Sequence, residues 1–80
     1  MNSTDPVALT LDARGLSCPL PVIRAKRGIA AIGVGEVIEI LTTDPGSVAD
    51  FRAWTRSTGH DLIAVVEEGP PFKFLIRRMH

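Results

Sequence analysis

Apolar and polar positions divide the chain into segments with two different periods. Residues 7–12 alternate as a strand does, with three apolar side chains on one face: Val7, Leu9 and Leu11. Across residues 19–32 the apolar positions follow helical spacing instead: Val22, Ala25, Ile29 and Ile32. The pattern therefore predicts a strand and then a helix, with Asp12 and Gly15 supplying the turn between them.

The rest of the chain predicts a second strand, a second helix and a hairpin. Glu36–Thr42 is rich in Val and Ile, which is typical of a buried strand. The second helix is predicted to be capped by Asp44 or Ser47 and to end near Gly59. The last two strands should pair in antiparallel fashion because the turn between them is short, and they span His60–Glu68 and Phe72–Arg78.

Together these elements predict one α/β (α+β) domain. Their order is β-α-β-α-β-β, and the helical connections are long enough for parallel right-handed crossovers. We expect a two-layer sandwich over residues 7–80, in which a four-stranded mixed sheet carries both helices on one face, after a flexible polar leader at residues 1–6. A chain of 80 residues buries about 60% of its unfolded surface, which suffices for one such core.

Composition and charge limit the classes of function. Nine basic and nine acidic residues give a net charge of zero, which disfavours direct nucleic-acid binding. One cysteine excludes an internal disulfide, and no signal peptide or membrane-length apolar run is present, so we expect a cytoplasmic protein with no direct membrane contact. Structural zinc needs four ligands, and one Cys with two His cannot supply them, so we expect no structural zinc site. We also expect no other metal or cofactor.

The single cysteine, Cys18, lies between the first predicted strand and the first predicted helix. An isolated cysteine is often a small buried apolar residue, but Cys18 precedes the apolar stripe that starts at Val22. Pro19 and Pro21 fit the first helical turn at N1 and N3, where N–H groups have no intrahelical partner. The helix dipole is then expected to lower the pKa of the neighbouring thiol. We interpret Cys18 as an exposed, activated thiol.

Other thiol chemistries fit the sequence less well. A Cys–His pair needs a base, and the sequence does not place His60 or His80 near Cys18. The spacing from Cys18 to Arg24 is that of a cysteine-phosphatase loop, which binds phosphate through backbone N–H groups, but prolines interrupt this one. A carrier that receives sulfur as a persulfide needs neither a base nor a second cysteine.

The residues around Cys18 resemble the signature of the TusA (SirA-like) sulfur-carrier family. The resemblance rests on Leu11, Asp12, Gly15, Leu16, the CPxP run Cys18-Pro19-Leu20-Pro21-Val22, Lys26, Gly35, Glu36, Asp44, Pro45 and the strand Phe72–Arg78. It covers about residues 9–80. It implies a fold similar to the C-terminal domain of bacterial translation initiation factor three. It also implies a persulfide carrier of the sulfurtransferase type rather than an enzyme with turnover of its own.

The resemblance further implies a site and partners. Cys18 would carry the persulfide, with Pro19 and Pro21 supporting its presentation. The donor would be a cysteine desulfurase or another, rhodanese-like protein, and the acceptor a protein of the DsrE or TusD type. The sulfur would serve tRNA 2-thiouridine synthesis, or sulfur oxidation and trafficking. The positions that match the family's desulfurase-docking residues are Lys26 and Asp44.

The charged residues of the first helix and the last strand have more general interpretations. Arg24 and Arg27 form a solvated helix face or attract an acidic partner patch near the thiol. Lys73, Arg77 and Arg78 are expected to be edge or surface charges. One alternative of a different class stays open: a non-catalytic protein- or RNA-binding regulatory module that uses the helices and this basic strand. A carrier that visits two partners through one thiol is expected to be a monomer.

Overall fold

The computed structural model describes residues 6–80 and confirms the predicted order of elements. Except for Pro6, the predicted leader lies outside the described residues. The strands are β1 (Val7–Ala13), β2 (Val37–Thr42), β3 (Asp61–Val66) and β4 (Phe72–Arg77), and the helices are α1 (Leu20–Ala31) and α2 (Ser47–Thr58). The sheet order is β1-β2-β4-β3, with β1 parallel to β2 and β4 antiparallel to both its neighbours, so the predicted mixed sheet and hairpin are confirmed.

The ends of several elements differ from the predicted ones. Pro19 is the N-cap residue of α1 rather than its first helical residue, so Pro21 stands at N2 instead of N3. The N-cap of α2 is Gly46 rather than Asp44 or Ser47, and Asp44, two residues earlier, accepts the Gly46 N–H with its side chain. Gly59 ends α2 with φ of 85°, a left-handed conformation that glycine adopts at little cost.

Both helices pack on one face of the sheet and share one hydrophobic core. The central strands β2 and β4 align their buried side chains, because Ile38 pairs with Ile76 and Ile40 pairs with Phe74. Phe51 of α2 is fully buried, and its ring centroid lies 4.5 Å from that of Phe74. Each such burial contributes about 1.5–3 kcal/mol, so the sheet and both helices depend on this shared core.

The position of β4 corrects the interpretation of its charges. β4 lies inside the sheet rather than at an edge, so its basic residues are not edge-strand charges. Because side chains alternate along a strand, Lys73 lies on the face opposite the buried Phe74. There its Nζ is 3.5 Å from Glu39 Oε2 of β2.

No helix within residues 6–80 is long and apolar enough to cross a membrane.

The parallel pairing of β1 and β2 decides where the functional loops lie. Each of the two strands is followed by a helix, so both helices begin at the same end of the domain. The loop that contains Cys18 and the loop that contains Asp44 therefore meet at that end. The other end holds the C-terminal ends of the helices and the residues next to them in sequence.

Gly28 marks the closest approach of α1 to the sheet. A Cβ atom there would lie 2.5 Å from Ile38 Cδ1 and 2.8 Å from Leu11 Cδ1. Alanine is favoured over glycine in a helix by about 1 kcal/mol, but overpacking a core costs about 1–3 kcal/mol. We expect Gly28→Ala to lower the free energy of unfolding by about 1 kcal/mol in urea denaturation.

The exposed Ala53 of α2 provides the control for helix propensity. Ala53→Gly should cost about 1 kcal/mol, because it changes propensity without removing a core contact. If Gly28→Ala instead raised stability by a similar amount, the contacts of Gly28 with Leu11 and Ile38 would not be limiting.

Candidate functional site

Cys18 is exposed and stands one residue before the N-cap of α1, so its predicted exposure and position are confirmed. Its backbone N–H donates a hydrogen bond to Asp44 Oδ2 at 2.7 Å. Nearby, the N–H of Gly15 donates to Thr43 Oγ1 at 2.9 Å. Both bonds join the β1–α1 loop to the β2–α2 loop. The position of the sulfur is therefore determined by two segments that are distant in sequence.

Asp44 is held in turn by the beginning of α2. Its Oδ1 accepts the N–H of Gly46 at 3.0 Å, and its main-chain oxygen accepts the hydroxyl of Ser47 at 2.7 Å. The Ser47 Oγ also lies 2.6 Å from Thr42 Oγ1, and since its own proton is directed at Asp44, Thr42 is the donor in that buried bond. The N–H groups of Gly46 and Cys18 lower the pKa of the Asp44 carboxyl, so it is charged at neutral pH.

A second carboxylate, that of Asp50, faces the thiol from the first turn of α2. The N–H of Asp50 donates to the main-chain oxygen of Gly46 at 3.1 Å, which fixes its place in that turn. The interaction of the thiol with the Asp50 carboxylate is the main reason why the pKa of Cys18 is raised above its usual value. Burial and the negative charges of Asp50 and Asp44 act in the same direction.

The predicted lowering of the Cys18 pKa is therefore wrong. Pro19 and Pro21 have no N–H, and the N–H of Leu20 donates to the main-chain oxygen of Ser17 at 2.9 Å, so the first turn of α1 has few donors left for a thiolate. The neighbouring carboxylates oppose the helix dipole as well. At neutral pH the free protein carries Cys18 as a protonated thiol.

Asp50 is the functional residue that sequence reasoning missed. In the sequence it stands three residues after Ser47, a spacing that indicates a capping partner. The feature of the sequence that could have connected Asp50 with Cys18 is its position in the first turn of the second helix. Parallel topology brings that turn beside the loop that precedes the first helix, and hence beside Cys18.

In the described part of the chain, no hydrogen bond or ion pair joins a basic side chain to the Cys18 thiol. Arg14 forms two hydrogen bonds to the Asp12 carboxylate, at 2.8 and 2.9 Å, and these hold the pKa of Asp12 at about 2. Arg24 and Arg27 are exposed on α1, and neither makes an ion pair within residues 6–80. Lys26 lies farther along α1, beside a groove.

The two histidines lie at that groove, and neither forms a pair with Cys18. The rings of His60 and His80 stack on each other with centroids 4.5 Å apart. In the described part of the chain, no group of three or more His, Cys, Asp or Glu side chains is arranged to hold a metal ion.

Removal of the Asp50 charge should make the thiol more acidic. Asp50→Asn is expected to shift the pH profile of Cys18 alkylation to lower pH, because the main cause of the raised pKa is lost. The rate at neutral pH should rise accordingly, as measured with iodoacetamide. Asp61→Asn, at the exposed start of β3 and the opposite end of the domain, is the matched control and should leave the profile unchanged. An unchanged profile for Asp50→Asn would contradict the role given to Asp50.

Comparison with known proteins agrees with the fold and with the family that the sequence resembles. The family described as sulfurtransferase TusA matches residues 9–78. The sulfur carrier protein TusA of Allochromatium vinosum is 50% identical over 68 residues, which cover 85% of this chain and 90% of that protein. The putative sulfur carrier protein YrkI of Bacillus subtilis is 41% identical over 68 residues, which cover 85% of this chain and 91% of that protein.

A solved structure supports the same assignment. The crystal structure of the SirA-like protein from Desulfitobacterium hafniense matches with a TM-score of 0.77 and 28% identity, and the match covers 90% of this chain and 99% of that chain. The family match spans most of the chain, and the A. vinosum relative matches over most of its own length. The chain belongs to the TusA sulfurtransferase family, as the residues around Cys18 predicted.

Proposed function

We propose that this protein is a sulfur carrier that accepts a persulfide sulfur on Cys18 and relays it to an acceptor protein. The observation that carries the proposal is the exposure of the single cysteine in a loop fixed through a backbone hydrogen bond to Asp44. Relatives over most of the chain are named as sulfur carriers, which supports the same chemistry here.

Loading proceeds by attack of the Cys18 thiolate on the outer sulfur of a donor persulfide. A new S–S bond forms at Cys18 while the S–S bond of the donor breaks, and the donor cysteine leaves as a thiolate. The transfer consumes no external oxidant. The proton of the Cys18 thiol must leave first, and the neighbouring carboxylates of Asp50 and Asp44 oppose that loss in the free protein.

A donor with cationic groups at the contact would remove this obstacle. Positive charge opposite Asp44 and Asp50 offsets the two carboxylates that raise the pKa of the thiol. The discharged carrier would then stay unreactive in solution and become nucleophilic in the complex. On discharge, Cys18 is the leaving thiolate, and the carboxylates of Asp50 and Asp44 favour its return to the protonated thiol.

The surface around the thiol supports docking of such partners. Leu20 and Ile23 are 45% and 43% exposed in the first turn of α1, next to Cys18. We include Lys26, Asp44, Arg24 and Arg27 among the docking residues, with Pro19 and Pro21 supporting the presentation of the sulfur. The donor is a cysteine desulfurase or a rhodanese-like protein, and the acceptor is of the DsrE or TusD type. The destination of the sulfur is tRNA 2-thiouridine or a route of sulfur oxidation and trafficking.

Intact mass measures sulfur loading directly. Reduced protein incubated with a cysteine desulfurase and cysteine should gain one sulfur atom, and dithiothreitol should remove it. Thiosulfate with a rhodanese and inorganic polysulfide are tested as parallel donors. Cys18→Ser should abolish the gain completely, because the chain has no other cysteine.

Ser17→Ala, one residue away in the same loop, is the matched control and should load sulfur like the wild type. Persistence of the gain in Cys18→Ser would contradict the assignment of the carrier residue. Failure of the wild type to gain sulfur from every donor would contradict the proposed function and favour the binding-module alternative.

A further inference from the structure

A groove lies between α1 and α2, away from the thiol. It has a volume of about 290 Å³, near the lower limit for small-ligand sites. Its apolar surface comes from Ile29, Ala30 and Trp54. Ile29 stands nine residues after Leu20, which corresponds to roughly 13 Å along the helix. The groove is therefore a separate feature from the loop that holds Cys18.

His60 contributes a hydrogen-bond donor to this groove. Its Nδ1 accepts the N–H of Met79 at 3.1 Å, so the proton of the neutral ring is on Nε2. Burial, with the nearby charges of His80 and Arg78, lowers the pKa of His60 and keeps the ring neutral. Within residues 6–80, the Nε2 of His60 has no hydrogen-bond partner. Because every fully buried side-chain nitrogen there does have a partner, this atom is not fully buried and is in contact with solvent. His60 is only 9% exposed and lines the groove.

Two cationic side chains stand at the same groove. The Arg78 guanidinium donates through Nη1 to the main-chain oxygen of Ile32 at 2.5 Å and through Nε to that of His80 at 2.9 Å. These bonds fix its plane and leave Nη2 without an acceptor in the described part of the chain. The Lys26 ammonium likewise has no ion pair there. His80 is held in place as Nε2 donates to the main-chain oxygen of Thr58 at 2.8 Å.

The ionisable side chains that line the groove share one sign of charge. Every ionisable side chain that lines it is basic, and none of the described lining residues is acidic. Donors on Lys26, His60 and Arg78 surround an apolar floor that includes the indole of Trp54. A ligand that satisfies both features needs an anionic acceptor group and an apolar body. A hydrated inorganic anion would leave the apolar floor unused, and a neutral apolar molecule would leave the donors unsatisfied.

We infer that the groove of Lys26, Trp54, His60 and Arg78 is a binding site for a carboxylate attached to an apolar body. The carboxylate is that of a small organic acid or that of an acidic side chain beside an apolar one in a polypeptide. The inference does not rest on the carrier function: carboxylate binding in the groove requires no sulfur on Cys18, although Lys26 is also one of the proposed docking residues. It adds a second binding site to a domain whose proposed chemistry takes place at the opposite helix ends.

Trp54 is the only tryptophan in the chain, so its fluorescence reports on the groove directly. We would titrate Cys18→Ser protein, which excludes thiol reactions, with sodium hexanoate at constant ionic strength. The expected result is a saturable change in emission with a Kd on the order of 1–10 mM, as for other small fragments. Amide resonances of the groove residues should shift in NMR spectra along the same curve. Hexanamide lacks the negative charge and inorganic phosphate lacks the apolar body. Each should therefore bind at least about fivefold more weakly than hexanoate.

Lys26→Gln should weaken hexanoate binding about fivefold, whereas Arg27→Gln, exposed on the same helix outside the groove, should not. The capped dipeptide N-acetyl-Leu-Glu-amide distinguishes the two sources. Tighter binding of the dipeptide at the same resonances indicates a polypeptide ligand, and tighter binding of hexanoate indicates a small acid. Absence of saturation with both carboxylates, equal binding of hexanamide or phosphate, or equal effects of the two substitutions would overturn the inference.

Discussion

The bond between the Cys18 N–H and the Asp44 carboxylate is the interaction on which the site depends. It joins loops that are separated by more than twenty residues but follow parallel neighbouring strands. The same carboxylate binds the N–H of Gly46 at the start of α2, and Ser47 binds the main-chain oxygen of Asp44. The sulfur position therefore depends on the end of β2 and the start of α2 as much as on its own loop.

This arrangement explains a thiol that is exposed but not acidic. A cysteine at a helix start is commonly activated by free N–H groups and the helix dipole. Here the prolines remove donors, while the parallel topology brings the negative charges of Asp44 and Asp50 to the thiol. For a carrier, such a thiol has a specific advantage. Because the raised pKa keeps the thiol protonated at neutral pH, it reacts more slowly with oxidants and alkylating agents than a thiolate would.

The sequence was sufficient for the fold because local patterns and connection lengths agreed. Strand alternation, helical spacing, the Val- and Ile-rich run and the cap residues together predicted all six elements, and the short turn before Phe72 indicated the hairpin. Cys18 could be recognised because it breaks the apolar pattern beside two prolines. The effect of Asp50 could not be predicted, since its contact with Cys18 forms across 32 positions and depends on how the two helix starts pack. For the same reason the sequence left His60 and His80 unplaced: their stacking depends on where α2 and β4 end.

The side chains nearest to the thiol and those that line the groove differ in the sign of their charge. The carboxylates of Asp44 and Asp50 lie at the helix starts beside the thiol, whereas Lys26 and Arg78 lie at the groove toward the helix ends. Within about a Debye length, each local set of charges attracts groups of the opposite sign, although the chain as a whole has a net charge of zero. A donor with a basic surface around its own persulfide would be steered toward the acidic end, where Cys18 is exposed. An acidic ligand would be steered toward the groove instead. The surface at Cys18 therefore favours positively charged groups, and the groove favours negatively charged ones.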